Sequence, residues 1–366
     1  MAVGFPAKVS YANGDVFSAS DINDTNGTLN LLGASVAYTA GKNKIINGDF
    51  RFNQRNFTSV TTSDTYGFDR FMQRFSGACT YSAQAFTPGT APAAPYEAIN
   101  FARLVSSSQV GATDFAGLVQ RMEDVRTLAN QVVTLSFWAK ASTGTPNIGV
   151  TFVQNFGSGG SAGVNTSPAV KTITTSWVRY SFQITVPSIS GKTVGTNSMA
   201  EAYIFTSCGT TISALGYAAV GLQNVTIDIW GVQLETGSTA TAFQTATGTI
   251  QGELAACQRY YNTMVSGATN LMVGNGAFYS SSQLYVGVFF PVSMRIAPSL
   301  VATSGTDYYA VDRNAGTDLF NSFSIAYATN ETALIYNLSE ISSVAGQAGA
   351  ARTNNASASI AFNAEL

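Results

Sequence analysis

The chain has 366 residues, of which 10% are charged, with a formal net charge of −2 and no histidine, against a usual charged share of ~25%. With no basic cluster, the electrostatic signature of a nucleic-acid binder is missing, and with no apolar run near ~18 residues there is no candidate membrane-spanning helix. The absence of histidine excludes the Ser-His-Asp and Cys-His constellations, His-ligated zinc and haem, and the usual neutral-pH base.

Abundant Thr, Ser, Asn, Gly, Val and aromatic residues favour β-structure with polar, uncharged faces. So few charges point to an oligomer, whose covered exterior needs fewer of them. No basic segment followed by an apolar one marks a secretory signal, so synthesis in a cytoplasm is expected.

Residues 1–42 read as an attachment segment: an extended start through Tyr11, a turn at Asn13-Gly14-Asp15, and a short helix with Ser20 as N-cap. Asp21 and Asp24 suit its first turn. Ile22, Leu29 and Leu32 form a narrow apolar seam. A helix below about 12–15 residues is marginal alone, so these three are expected to anchor it on sister chains or on a larger assembly.

Residues 43–245 alternate strand-like runs with Gly, Pro, Ser and Thr breaks: Val132–Lys140, Gly149–Gln154, Trp177–Val186, Ala202–Thr206 and Val225–Leu234. Phe137-Trp138 and Tyr180-Phe182 alternate with polar residues at the period of half-buried antiparallel strands. Residues 156–163 read as a flexible loop. The expected architecture is mainly β, a jelly-roll β-sandwich. Residues 246–262 read as a linker helix, with Glu253 near its start and Leu254, Cys257 and Tyr261 on one face. Residues 263–366 then form a smaller C-terminal β-domain with strands at Leu284–Val292, Ser322–Ala328 and Thr332–Leu338. Pro291 and Pro298 bracket a strand edge and turn, and long variable loops are expected through Ala345–Ala361.

The closing strand Trp230-Gly231-Val232-Gln233-Leu234-Glu235 with Gly237-Ser238 and Ala240-Thr241-Ala242-Phe243, followed by Cys257-Gln258-Arg259-Tyr260-Tyr261, resembles bacteriophage tail-fibre and related virion appendage proteins. So do Asn47-Gly48-Asp49-Phe50 with Gln54-Arg55, Tyr66-Gly67-Phe68-Asp69-Arg70-Phe71, Leu135-Ser136-Phe137-Trp138-Ala139-Lys140, and the leader at Asn13–Asn23. The sandwich is similar to that of carbohydrate-binding modules. The resemblance implies a virion protein assembled in the host cytoplasm. It also implies a homotrimer held to other virion proteins through its N-terminus, with a bacterial surface glycan or receptor met by residues 263–366. Such modules often hold calcium beside a V-x-L strand; here Trp230-Gly231 fills that place. Asp49, Asp228 and Glu235 could offer oxygens, but a charged strand end explains them equally, so no metal and no cofactor is expected.

Glycan recognition needs aromatic faces with polar neighbours. Tyr279, Tyr308 and Tyr309 are the candidate ligand-binding platform, with Tyr96 or Phe156 as candidates on the sandwich. Arg55, Arg70 and Arg74 read as structural partners of Asp69 and of nearby rings. Glycan cleavage would need two carboxylates ~5–10 Å apart. The candidates are Asp64 with Asp69, Asp114, and Glu123 with Asp124; the last pair, flanked by Arg121 and Arg126, reads as a solvated charge cluster, and no catalytic residue is assigned. Cys79, Cys208 and Cys257 read as buried, reduced thiols. A non-adhesive head-fibre, decoration or collar protein is the alternative to an adhesive fibre, and a glycan depolymerase the second.

Overall fold

The computed structural model describes residues 40–93, 96–314 and 316–366. The expected N-terminal helix, with Ile22, Leu29 and Leu32, lies outside the described residues. In chain order the first strands are β1 (Ser59–Val60), β2 (Thr65–Tyr66), β3 (Met72–Ser76), β4 (Ala78–Ala85), β5 (Asn100–Ser107), β6 (Phe115–Met122), β7 (Val132–Ala141), β8 (Asn147–Asn155), β9 (Val164–Thr166), β10 (Lys171–Thr172), β11 (Val178–Thr185) and β12 (Met199–Cys208). The single turn α1 (Thr210–Ser213), β13 (Thr226–Thr236) and the helix α2 (Ile250–Gln258) follow.

These strands build a jelly-roll β-sandwich. One sheet has the order β1-β4-β5-β13-β7-β11, the other β10-β8-β12-β6-β3-β2 with β9 beside β8, and neighbours are antiparallel. Tyr81, Leu104, Leu135, Phe137, Phe182 and Ile229 from the first sheet meet Leu118, Ile148, Val150, Phe152 and Ile204 from the second in one core. Each such side chain contributes about 1.5–3 kcal/mol on full burial. The second sheet is covered on its outer face as well: Val119, Val153, Tyr203 and Phe205 pack under Ala218 and Val220, with Tyr217 edge-on to Phe205. A sheet buried on both faces loses its period-2 signature, and β3 and β6 accordingly have no strand-like pattern of their own.

The Asn47-Gly48-Asp49-Phe50 segment closes the sandwich. Asn47 adopts φ +60° and its side-chain amide donates to the carbonyls of Phe52 and Asp69. Gly48 lies so close to β13 that a Cβ there would sit 2.1 Å from the Val232 carbonyl oxygen, and its own carbonyl accepts the Val232 N–H at 2.9 Å. The register of β13 against β7 shifts between Trp230 and Gln233. Gly231, at φ +66°, makes that bulge possible by leaving room for the Trp138 ring. Asn43 bridges the same place: its amide donates to the carbonyls of Val232 and Gln244, and its oxygen accepts the N–H of Leu234.

Helix α2 starts at the N-cap Thr249, whose hydroxyl accepts the Gly252 N–H. Glu253 and Cys257 are its buried side chains. Tyr261, expected on that helix face, instead opens the next strand, because Arg259 ends the helix and the Tyr260 N–H turns back onto the Cys257 carbonyl.

The remaining strands are β14 (Tyr261–Ser266), β15 (Met272–Ser280), β16 (Gln283–Phe289), β17 (Ser299–Ala302), β18 (Tyr309–Arg313), β19 (Gly316–Phe320), β20 (Ser324–Ala328), β21 (Thr332–Leu338), β22 (Ala348–Thr353) and β23 (Ser359–Asn363). A three-stranded sheet, β14-β23-β17, packs on a seven-stranded one, β19-β18-β22-β15-β16-β21-β20. Val265, Ile360 and Phe362 of the first meet Phe278, Leu284, Val286 and Ile335 of the second. The Ala345–Ala361 tract, expected as loop, supplies β22 and most of β23. Its small residues let β22 lie between β15 and β18 with Ala351 wholly buried.

A buried charge network joins the sandwich to this second unit. The Arg70 guanidinium lies 3.4 Å from the Tyr260 ring centroid, donates to the Arg121 carbonyl and pairs with Glu365. Arg55 stacks on Tyr261 at 3.7 Å and pairs with both Glu365 at 3.1 Å and Asp69 at 3.4 Å. Arg295 donates to the carbonyls of Ala364 and Glu365.

Candidate functional site

Strand alternation divides the neighbours on β7 and β13. Phe137, Ala139 and Ile229 point into the core, so Trp138, Lys140, Asp228 and Trp230 occupy the outer face of the first sheet, where Trp138 is registered with Trp230 and Lys140 with Asp228. On β5, Ala102 pairs with Ile229, which puts Phe101 and Arg103 on the outer face. Trp177 precedes β11 and Arg179 lies within it. All three tryptophans of the chain therefore share one face.

Seven rings run across it without a break. Trp138 and Trp230 are 5.3 Å apart, Trp230 and Phe243 5.0 Å, and Tyr96 lies 5.5 Å from each of Trp230 and Phe243. Phe86 is 6.2 Å from Trp230, 5.6 Å from Trp177 and 4.8 Å from Phe101. Trp230, Phe101 and Phe243 form a buried floor, while Trp138, Trp177, Phe86 and Tyr96 are half-buried at the rim.

Polar groups border the rings. Lys140 Nζ lies 5.1 Å from the Trp177 centroid and the Arg179 guanidinium 4.6 Å from that of Trp138. Arg103 binds Asp228 through two N–H groups at 2.6 and 2.9 Å, with Lys140 at 3.6 Å. The bond to Asp228 raises the Arg103 pKa, whereas burial lowers that of Arg179. At the Tyr96 end the face meets a cavity of about 200 Å³ bounded by Asp49, Arg51, Tyr96, Thr249, Ile250 and Glu253. The Tyr96 hydroxyl donates to Asp49 Oδ2 at 2.5 Å. Burial, then the Asp49 charge, pushes the Tyr96 pKa up, and burial likewise raises that of Glu253, which accepts the Asn47 N–H. Flat rings flanked by cations and carboxylates are suited to stack on a hydroxylated ring and hydrogen-bond its hydroxyls.

The sequence-based candidates fall elsewhere. Tyr309 is fully buried, packed against Phe320 and Phe323, with its hydroxyl within bonding distance of the Thr303 and Ser359 carbonyls. It is a core residue because β18 turns it onto the inner face of its sheet, so it cannot serve on a ligand platform. Tyr308 is half-buried against Gly305, and Tyr279 is exposed beside Tyr285 on β16. The three tyrosines do not converge. Phe156 is buried, whereas Tyr96 belongs to the aromatic face. Trp138 had a signal in the sequence, since Phe137 and Trp138 are adjacent on one strand and must face opposite ways.

The candidate carboxylates are each held by the chain's own groups. Asp64 pairs with Arg74, Asp69 with Arg55 and Gln54, Glu123 with Arg259, and Asp124 with Arg126, while Asp114 accepts loop N–H groups from Val110 and Gly111. Arg121 reaches Glu201 rather than its sequence neighbours. Of the three acids weighed for calcium, Asp228 is taken by Arg103 and Lys140. Glu235 is bound by Thr241, Gln233 and Lys42, and Asp49 lies at the cavity.

No family model matches the chain, and no curated protein matches it. Among solved structures it is similar to the CBM22-2 xylan-binding domain of Xyn10C from Paenibacillus barcinonensis (TM-score 0.32, 15% identity, 49% of this chain and 98% of that one). It is also similar to the family 11 carbohydrate-binding module from Clostridium thermocellum (TM-score 0.30, 11% identity, 50% and 99%). A third likeness is to the enzymatically active domain of bacteriophage CBA120 tailspike protein 4 (TM-score 0.28, 14% identity, 54% and 22%). At this level of likeness the fold rests on the chain's own strand pairing.

Proposed function

We propose that this chain is a non-catalytic, glycan-binding component of a bacteriophage virion appendage of the tail-fibre type. In this reading residues 1–42 join it to other virion proteins, it works as a homotrimer, and the Trp138–Trp177 face contacts a bacterial surface glycan. The carrying observation is the convergence of all three tryptophans on one face with Lys140, Arg103, Asp228 and Arg179 at its border. The capture of each candidate carboxylate by an arginine or by backbone N–H groups supports binding without cleavage. The virion setting is supported by the motifs at Asn47–Phe50 and Trp230–Phe243. This reading puts recognition on the sandwich rather than on residues 263–366, and the burial of Tyr309 in the core of its own unit supports that choice.

Titration of the protein with soluble host-envelope polysaccharides tests this, read by tryptophan emission and by calorimetry. A matching glycan shifts the emission, and Trp177→Ala weakens binding by tenfold or more, as expected for loss of a stacking ring. A non-adhesive head-fibre, decoration or collar protein is the second reading, favoured by the burial of Trp230, Phe101 and Phe243 beneath their neighbours. Unchanged emission with every glycan, together with a fall in stability for Trp177→Ala, selects it. Release of reducing sugar would instead establish the depolymerase.

A further inference from the structure

The seven-stranded sheet buries one face against β14-β23-β17 and leaves the other uncovered among the described residues. Cross-strand register puts Tyr285 with Tyr336, Gly287 with Leu334, Phe289 with Thr332, and Gln283 with Leu338 on that outer face, with Tyr327 beside Leu334. Phe289 is 83% exposed, Tyr327 75%, and Tyr279 on β15 70%. Single exposed apolar residues are ordinary, but a contiguous set of this size marks an interaction surface.

Three observations identify the occupant. First, none of the residues of β15, β16, β21 and β20 is charged, and at the other edge Arg352 pairs with Asp312 and Arg313 with Asp318 inside the chain, both at 2.7 Å. A contact between two copies of one face sets any net charge on that face against the same charge, so self-association favours a face that carries none. Second, seven strands at ~4.8 Å spacing and about six residues at ~3.4 Å each give roughly 700 Å² of sheet surface. With flanking loops this approaches the ~800 Å² per partner of a stable interface. Third, the edge strands β19 and β20 are each five residues long, and β20 carries a register shift between Ile325 and Tyr327, features that discourage edge-to-edge pairing and leave the face as the route of association. Tyr and Phe are the residue types enriched at interface cores.

We infer that copies of this chain associate through the outer face of the seven-stranded sheet, centred on Phe289 and Tyr327. The inference is independent of the glycan-binding reading. Sedimentation velocity of the full chain across a concentration series tests it, comparing the wild type with the double variant Phe289→Asp/Tyr327→Asp and with Val110→Asp on the sandwich. The wild type and Val110→Asp form the same oligomer. The double variant dissociates, with association on the order of 100-fold weaker or more, and keeps the native far-ultraviolet spectrum. A monomeric wild type at micromolar concentration, or a double variant with the wild-type stoichiometry and association, overturns the inference. Should the double variant misfold, hydroxyl-radical footprinting of the wild type decides. Labelling at Tyr279, Phe289 and Tyr327 falls as concentration rises if they lie in the contact, and concentration-independent labelling there refutes it.

Discussion

Replacing Glu365 by Gln removes the shared anion of the junction while conserving its shape. Its carboxylate serves two guanidiniums at once: that of Arg70, wholly buried against Tyr260, and that of Arg55, which lies 3.1 Å away and keeps Asp69 as a second partner. Removing one member of a buried ion pair costs about 3–5 kcal/mol, because the surviving charge stays out of water. Arg55 retains Asp69, and Arg70 retains the Tyr260 ring and the Arg121 carbonyl, so the loss belongs at the lower end, about 3 kcal/mol. Against a usual total of ~5–15 kcal/mol this is a large fraction. Urea unfolding followed by tryptophan emission, which reports only the sandwich, and by tyrosine circular dichroism reads the effect, with both midpoints falling together. The double variant Arg70→Met/Glu365→Leu recovers much of the loss, since an apolar pair of similar volume carries no desolvation cost. A change below about 1 kcal/mol in Glu365→Gln would show the network to be solvated and would refute the reasoning.

Gly48→Ala forces a methyl group against the Val232 carbonyl and is expected to cost about 3 kcal/mol, seen as a lower thermal midpoint; a wild-type midpoint contradicts the close approach. Glu235 is partly penalised by burial, yet the N–H and hydroxyl of Thr241, the Gln233 amide and the Lys42 charge together hold its pKa below the ordinary 4.5. A lowered folded value stabilises the fold above 4.5, and that contribution is lost as pH falls through the folded pKa. Glu235→Gln is therefore less stable by about 1–3 kcal/mol at neutral pH, and the gap to wild type narrows as pH falls below 4.5; a gap that widens on acidification excludes the assignment. Burial pushes the Cys79 thiol up to about 12 and that of Cys208 to about 11, and raises Cys257 well above the thiol range. Ellman's reagent is expected to label all three only after denaturation, and rapid labelling of the native protein would disprove their burial.

Strands with one polar face could be read before any coordinates. The run Thr332–Leu338 is β21 residue for residue, and Val132–Lys140 differs from β7 by a single alanine. The elements without a sequence signature follow physical rules of their own. β3 and β6 sit in a sheet buried on both faces, so polar alternation never marks them, and the Ala- and Gly-rich β22 has composition against it while its neighbours hold it in place. Tyr308 and Tyr309 are consecutive, and strand geometry sends consecutive side chains to opposite faces, so one of the pair had to leave any shared platform. The same rule, applied to Phe137 and Trp138, exposes the aromatic face. No local pattern could announce that Arg70 lies beneath Glu365, because 295 residues separate them.

The clasp between Asn43 and the β13 strand carries a kinetic consequence. Its hydrogen bonds to Val232 and Gln244 span 189 and 201 residues, so on an emerging nascent chain this segment meets its β13 partners only after the whole intervening stretch has been made. Contacts that remote must wait for the intervening loop to close before they reward it. The early strands can pair among themselves, β1 with β4, β4 with β5 and β2 with β3, whereas the segment from Asn43 to Gly48 must wait for β13 and so closes the sandwich late.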